Sequence, residues 1–213
     1  MKKIGIFLVV ILLVVINAKA QTKLTTESRN EISLGLRVGA NYSNVYDSEG
    51  QDFVANGKFG FTAGGFIVIP LGEVFGLQPE VLYSQKGFKS SGTFLGTAYS
   101  MTRTTDFIDV PIFFSIKPDK KISLLFGPQF SYLMKQKDAF TGGMLNSNQK
   151  EQFDNSNLRK NILGLTGGAD INIAFFVIGI RAGWDVKNND GDRNTTTPRY
   201  KNMWYQATIG YKF

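Results

Sequence analysis

Along most of this chain apolar and polar residues alternate one by one, and the alternation recurs in stretch after stretch. An early stretch sets Leu34, Leu36, Val38, Ala40 and Tyr42 on one face and Gly35, Arg37, Gly39 and Asn41 on the other. A middle one sets Ile122, Leu124, Phe126, Pro128, Phe130 and Tyr132 against Ser123, Leu125, Gly127, Gln129 and Ser131. The last sets Met203, Tyr205, Ala207, Ile209, Tyr211 and Phe213 against Trp204, Gln206, Thr208, Gly210 and Lys212. A period of two belongs to the β-strand, whose side chains point alternately to the two faces of a sheet. Similar stretches near 58–69, 73–87, 103–117, 161–173 and 175–187 bring the number of predicted strands to eight. No helical periodicity persists anywhere in the chain.

The chemistry of the two faces decides what kind of sheet this is. One face carries Phe, Tyr, Ile and Leu, and the other carries Gly, Ser, Thr, Asn and isolated charges. A soluble sandwich packs large apolar residues inward and shows charge outward, whereas a membrane barrel is apolar outward and polar inward. The connections also alternate. Long ones are expected near 43–57, 88–102, 136–160 and 188–200, and short ones at 70–73, 118–121 and 172–175. The sequence therefore predicts an all-β fold, an eight-stranded antiparallel transmembrane up-and-down barrel with four long extracellular loops and short periplasmic turns. Tyr42, Tyr83, Tyr132, Trp184 and Tyr205 fall near the long-loop ends, and Phe75, Phe176, Tyr211 and Phe213 near the other ends, as two interfacial girdles would.

The first residues do not fit the barrel. Lys2 and Lys3 precede the apolar run Ile4 to Ile16, and Ala18-Lys19-Ala20 supplies a small-x-small cleavage pattern before Gln21. The run is short for a membrane helix, which needs roughly 20 apolar residues, so residues 1–20 read as a cleaved signal peptide. The expected organisation is then signal peptide 1–20, a short periplasmic segment 21–31 and the barrel 32–213, in the cell outer membrane. Removal of the leader takes away Lys2, Lys3 and Lys19 and no acidic residue, lowering the net charge from +7 to +4. The remaining charges are scattered rather than gathered into a stripe, so nucleic acid is not an expected partner.

Several stretches resemble one known family. Gly76 to Gly87 (GLQPEVLYSQKG) resembles a hairpin strand of the PorT-like outer-membrane β-barrel family of Bacteroidetes. Phe107 to Ile112 (FIDVPI) is similar to another strand of that family, with Asp109 in place of the usual glutamate, and Phe126 to Gln129 (FGPQ) to a third. Gly35 to Ser43 (GLRVGANYS) resembles its early strand, and the chain ends on a barrel-type aromatic, Phe213. The resemblance spans nearly all of the expected mature chain. It implies an outer-membrane barrel inserted by the barrel assembly machinery, with Phe213 as an assembly signal, but not the secretion pathway from which the family takes its name.

Chemistry is constrained by two absences. The chain has no cysteine and no histidine, which removes disulfides, a lipid-modified cysteine, the usual zinc sites and His- or Cys-based nucleophiles. No catalytic residue, cofactor or metal is expected; Asn188 to Asp192 has part of a calcium-loop composition without its closing glutamate and reads as a polar loop tip. The candidate site is the set of inward charges Arg37, Glu80, Lys86, Asp109, Lys117, Asp170, Arg181 and Asp185, with Lys212 beside them. Eight strands leave a lumen that side chains nearly fill, so these charges are expected to pair and hold strand register. The competing use is a polar relay or narrow ligand site with Glu80 and Asp109 as acids on neighbouring strands. The long loops, above all 136–160 with Lys135, Lys137, Phe140, Met144, Leu145, Lys150 and Phe153, are the expected surface for a protein partner, and the wall contacts outer-membrane lipid. Function is read as a non-enzymatic scaffold displaying loops for binding or adhesion; the alternative is a component of a secretion machinery or a narrow solute conduit.

Overall fold

A computed structural model describes residues 31–46, 54–94, 97–141, 148–149, 159–189 and 200–213. Its strands are β1 (Ser33–Tyr46), β2 (Val54–Pro70), β3 (Phe75–Phe94), β4 (Thr97–Ile116), β5 (Ile122–Thr141), β6 (Asn148–Gln149), β7 (Asn161–Ile173), β8 (Phe176–Asp185) and β9 (Lys201–Lys212). They pair in the order β4-β3-β2-β1-β9-β8-β7-β5, every pair antiparallel, and β4 pairs β5 to close the ring. β6 is a two-residue addition that pairs Asp138 and Ala139 of β5 outside the ring. The result is a closed eight-stranded barrel, and closure leaves no edge strand inside a bilayer that could not satisfy one.

The faces sort as the alternation predicts. Leu36, Val38, Phe61, Val81, Ile112, Leu124, Phe126, Phe130, Ile178, Ile180 and Ile209 are exposed on the outer wall. Arg37, Asn41, Thr62, Gln78, Glu80, Ser84, Asp109, Ser131, Thr166, Asp170, Arg181 and Thr208 are buried inside it. In water this would be an inverted protein; in lipid it is the low-energy arrangement. Tyr42, Tyr132, Trp184 and Tyr205 stand outward toward the long-connection end, and Phe75, Phe176, Tyr211 and Phe213 toward the other. Phe175, Phe176 and Phe213 surround Tyr211, with ring centroids 5.6 to 5.8 Å apart.

At the short end the connections are tight. Leu71–Val74 joins β2 to β3, with Gly72 at φ 113, and residues 117–121 join β4 to β5. Ala174 and Phe175 alone join β7 to β8, and Ala174 takes the left-handed conformation at φ 50.

At the other end the strands run further than their alternation suggests. Residues 88–102, expected as a long loop, are mostly a hairpin in which β3 reaches Phe94 and β4 starts at Thr97. Thr93 and Thr102 favour strand, but Lys89, Ser90, Ser91 and Ser100 mark no apolar face, so the periodic signal fades where the backbone ladder continues. β1 likewise runs to Tyr46, β2 starts at Val54, and β5 continues to Thr141 inside the expected 136–160 loop. The leader at 1–20, the periplasmic segment up to residue 30, and most of the 188–200 and 142–158 loop residues lie outside the described residues.

Two irregularities shape the upper barrel. The β2–β3 register shifts between Gly57 and Thr62, and the β4–β5 register shifts between Asp106 and Phe107. In the second, Leu133 pairs Phe107 and Lys135 pairs Asp106, leaving Met134 as the extra residue of a β-bulge. Below it the odd residues of β5 face inward; above it Gln136 and Asp138 are buried and Lys135 and Lys137 are exposed.

Candidate functional site

The inward charges gather into two groups stacked along the barrel axis. The lower group draws one residue from each of four strands: Arg37 (β1), Glu80 (β3), Asp170 (β7) and Arg181 (β8). Arg37 Nη2 lies 3.2 Å from Asp170 Oδ2 and 3.4 Å from Glu80 Oε1. Arg181 Nη2 lies 2.8 Å from Asp170 Oδ1 and 3.4 Å from Glu80 Oε1. Gln78 Nε2 donates to both acids, at 2.9 Å to Glu80 and 3.0 Å to Asp170. Two guanidiniums thus alternate with two carboxylates in a ring of zero net charge. Phe66 lies beneath Arg37 at 4.3 Å and Phe113 beside Arg181 at 5.2 Å, and the four charged side chains keep only 1–3% exposure. Burying four charges is offset by an opposite partner for each and by further hydrogen bonds of Glu80, Asp170 and Arg181. Arg37 Nε and Nη1, Glu80 Oε2 and Arg181 Nε have no partner among the described residues.

The upper group centres on Lys86. Its Nζ lies 2.9 Å from Asp109 Oδ2, 3.7 Å from the Trp204 ring centroid and 5.0 Å from that of Phe107. Ser131 donates to the other Asp109 oxygen at 2.6 Å. Asp185 accepts from the backbone N–H and the amide of Asn202. Above them Arg103 reaches Asp138 with two bonds and donates to the Tyr200 hydroxyl at 3.1 Å. Between the groups lies a layer of neutral polar side chains. Gln206 donates to Asn41 at 2.9 Å, Thr166 to Gln129 at 3.0 Å, and Thr62 and Ser84 share a bond of 3.2 Å.

Seven of the eight singled-out charges therefore stand on strands inside the lumen, Lys117 lies at its short-end mouth, and one pairing needs correcting. Lys117 follows β4 in the short connection, its backbone N–H donating to Val74 O at 2.7 Å. With Gln78, Asp170, Asn172 and Lys212 it lines a vestibule of about 70 Å³ where the lumen opens at the short end. The chain turns there, where Pro118 and Asp119 follow. Glu80 and Asp109, imagined as two acids of one site, belong to different ion groups, each held by its own cations. Lys135 and Lys137, expected on a loop, are outward residues of β5.

Other residues of the site are not singled out by sequence reasoning. Arg103 and Asp138 sit in stretches read as a strand start and a loop, and only the bulge brings them face to face. Trp204, 2% exposed, is an inward aromatic on a face expected to be polar; its signal is its place in the alternation beside Gln206 and Thr208. The described lumen is packed throughout, and a second space near its upper end, lined by Thr105, Gln136, Asn189 and Tyr200, measures about 10 Å³. Chemically this interior closes a barrel and fixes its register; it offers no open cleft in which a substrate meets a paired acid and base.

No curated protein matches the chain. Among solved structures it is similar to the attachment invasion locus protein Ail of Yersinia pestis, at 14% identity and a TM-score of 0.49, over 86% of this chain and 99% of that one. It is also similar to Neisserial surface protein A, at 13% identity and 0.47 over 86% and 99%, and to OprG of Pseudomonas aeruginosa, at 11% identity and 0.40 over 88% and 99%. The family model described as outer membrane protein beta-barrel domain matches residues 19–191, most of the chain, and with the closed, lipid-facing ring in place the chain belongs to that family of outer-membrane barrels.

Proposed function

We propose that this barrel is a closed-lumen scaffold of the outer membrane that presents its long connections for binding or adhesion and catalyses no reaction. The observation that carries the reading is the four-strand ion ring of Arg37, Glu80, Asp170 and Arg181, with side-chain exposures of 1–3%. A conduit would have to break paired, desolvated charges to open, whereas a scaffold is stabilised by keeping them together. The acids that an enzyme would need are engaged: Glu80 by two arginines and Gln78, Asp109 by Lys86 and Ser131. The rigid ring leaves the connections at one end as the variable surface. Within the broader family, the motifs at 35–43, 76–87, 107–112 and 126–129 favour the PorT-like barrels of Bacteroidetes, and the leader favours export with cleavage after Ala20.

The test is planar-bilayer conductance of the purified barrel, followed by in-membrane crosslinking and mass spectrometry. A closed scaffold shows no stable conductance steps. Sustained steps overturn the closed-lumen reading, and a stoichiometric set of envelope partners replaces it with a subunit of an export machine.

A further inference from the structure

Just above the aromatic band, one side of the outer wall changes character. On β5 the bulge at Met134 turns both Lys135 and Lys137 outward, and both are exposed. On β3 Lys89 is exposed, and on β2 Lys58, next to the Gly57–Phe88 pair, donates from its Nζ to Phe59 O at 3.3 Å on the exposed side. The strand register sets these groups around a common floor. Lys137 pairs Thr104, which pairs Gly87; Thr102 pairs Lys89; and Lys135 pairs Asp106, which pairs Gln85. Between the lysines of β5 and those of β2 and β3 the wall is therefore low and hydroxyl-lined, formed by Thr102, Thr104 and the side-chain-free Gly87. With strands about 4.8 Å apart, Lys137 and the line of Lys89 are separated by about 10 Å, a span that two long ammonium arms close over one tetrahedral anion.

The charge balance is one-sided. Among the described residues four lysines face one outward carboxylate, Asp106, which accepts from Gln85 Nε2 at 3.1 Å. The ions at the same height inside the barrel, Arg103 and Asp138, are forked to one another. Directly below the patch the wall is apolar and aromatic: Met134 and Tyr132 on β5, Ile108 on β4, Val81 and Tyr83 on β3, Phe59 and Phe61 on β2. Phe59 is 73% exposed, and Phe61, Tyr132 and Met134 are each 50% or so. The lysines thus lie at the level where hydrocarbon ends and headgroups begin, at the long-connection end, which in these barrels faces the outer leaflet.

We propose that this Lys58–Lys89–Lys135–Lys137 face is a binding site for a phosphate-bearing lipid of the outer leaflet, its phosphate held over Thr104 and Gly87 and its acyl chains lying on the aromatic wall beneath. The inference rests on the barrel's place in the outer membrane and is independent of what the loops bind. Each lysine contributes on the order of fivefold in affinity for an anionic headgroup at low salt, and the contribution shrinks as salt screens it.

The full-length barrel, reconstituted in phosphatidylcholine nanodiscs doped with diphosphoryl lipid A, is assayed for retained glycolipid by native mass spectrometry. Dephosphorylated lipid A serves as the uncharged counterpart. The expected result is retention of the phosphorylated form only, loss of about a hundredfold in K89Q/K135Q/K137Q, and recovery in the corresponding triple arginine variant. Circular dichroism of the same samples shows each variant to be folded. Equal retention of the dephosphorylated lipid, or unchanged retention in the triple glutamine variant, overturns the proposal. Displacement of the lipid by millimolar inorganic phosphate also overturns it, since the site would then be one for free anion.

Discussion

Arg103 grips both carboxylate oxygens of Asp138 across the β4–β5 pair, at 2.8 and 2.7 Å, and the two face each other because the bulge takes Met134 out of the alternation of β5. Strict alternation from Ser131 upward would turn Lys135 and Lys137 into the lumen and Asp138 toward lipid. The bulge reverses that parity at one step. It buries the acid against its arginine and sends the two lysines outside, so one local irregularity sets both the upper seal and the charge of the outer wall.

The parity argument predicts opposite outcomes for two single-residue changes. Deleting Met134 leaves Leu133 inward, Lys135 outward, Gln136 inward and Asp138 inward, so the ladder becomes regular and the Arg103–Asp138 pair survives. Inserting one alanine after Lys135 turns Asp138 outward and strands Arg103 beside Tyr200, at a cost of about 3 kcal/mol for an uncompensated buried charge. Urea unfolding in detergent micelles, followed by tryptophan fluorescence, reads the difference. Equal stability of insertion and deletion would count against the bulge as the device that orients Asp138.

The lower ion ring makes a prediction of non-additivity. Arg181→Met removes one of two cations shared by Glu80 and Asp170, which leaves a buried net negative charge and costs about 3–5 kcal/mol. Removing one charge of each sign, Arg181→Met with Asp170→Leu, leaves the Arg37–Glu80 pair at 3.4 Å and restores neutrality. The double variant is expected to be more stable than Arg181→Met alone by about 2 kcal/mol, the signature of charges acting as a unit. A double variant as unstable as the sum of its two singles would show that the four groups are not coupled.

Much of this was open to reading from residues alone, and the rest was hidden for identifiable reasons. The eight strands and their faces follow from period-two alternation that lipid outside and polar side chains inside both enforce, as in β1 and β9, where burial alternates residue by residue and only Val45 and Trp204 set a large apolar side chain inside. The inward positions of Arg37, Glu80, Asp170 and Arg181 follow from that same parity. Their mutual contacts do not, because they lie on β1, β3, β7 and β8 and meet only when the sheet closes. Lys117 shows how far the parity carries: one residue past Ile116 it still lines the short-end mouth of the lumen beside Gln78 and Asp170. The bulge at Met134 is a backbone event with no residue type that announces it, and past Phe88 the residues Lys89, Ser90, Ser91 and Ser100 break the apolar alternation although the β3–β4 ladder continues.

A second irregularity is mended from within. Where β2 and β3 lose register between Gly57 and Thr62, β1 reaches across β2 to the β3 backbone. Asn41 Nδ2 donates to Gln85 O at 3.2 Å, Ser43 Oγ donates to Gly87 O at 2.9 Å, and the Gly87 N–H donates to Ser43 Oγ at 2.8 Å. Gly87 sits at φ 145, and a Cβ there would come within 2.0 Å of Arg103 O. Ser43→Ala leaves one buried N–H and one buried carbonyl without this partner and is expected to cost about 2–3 kcal/mol. Hydrogen exchange should show faster loss of the Gly87 amide in that variant, with the β7–β8 amides unchanged; a Gly87 amide as protected as in the native chain would overturn this account.

The last residue tests assembly rather than stability. Phe213 closes the chain with its backbone N–H on Leu34 O at 2.8 Å and its ring 5.6 Å from that of Tyr211, on the outer wall at the short end. Little packing is lost with it: the ring is 45% exposed, and β9 still pairs β1 and β8 without it. If the terminal aromatic serves as the insertion signal, a chain lacking Phe213 should reach the outer membrane at severalfold lower levels. The same chain refolded in detergent micelles should unfold within about 1 kcal/mol of the native one, since a half-exposed ring contributes no more than that. Normal membrane levels would exclude the signal role, and a large loss of stability in micelles would reassign the residue to holding the barrel's seam.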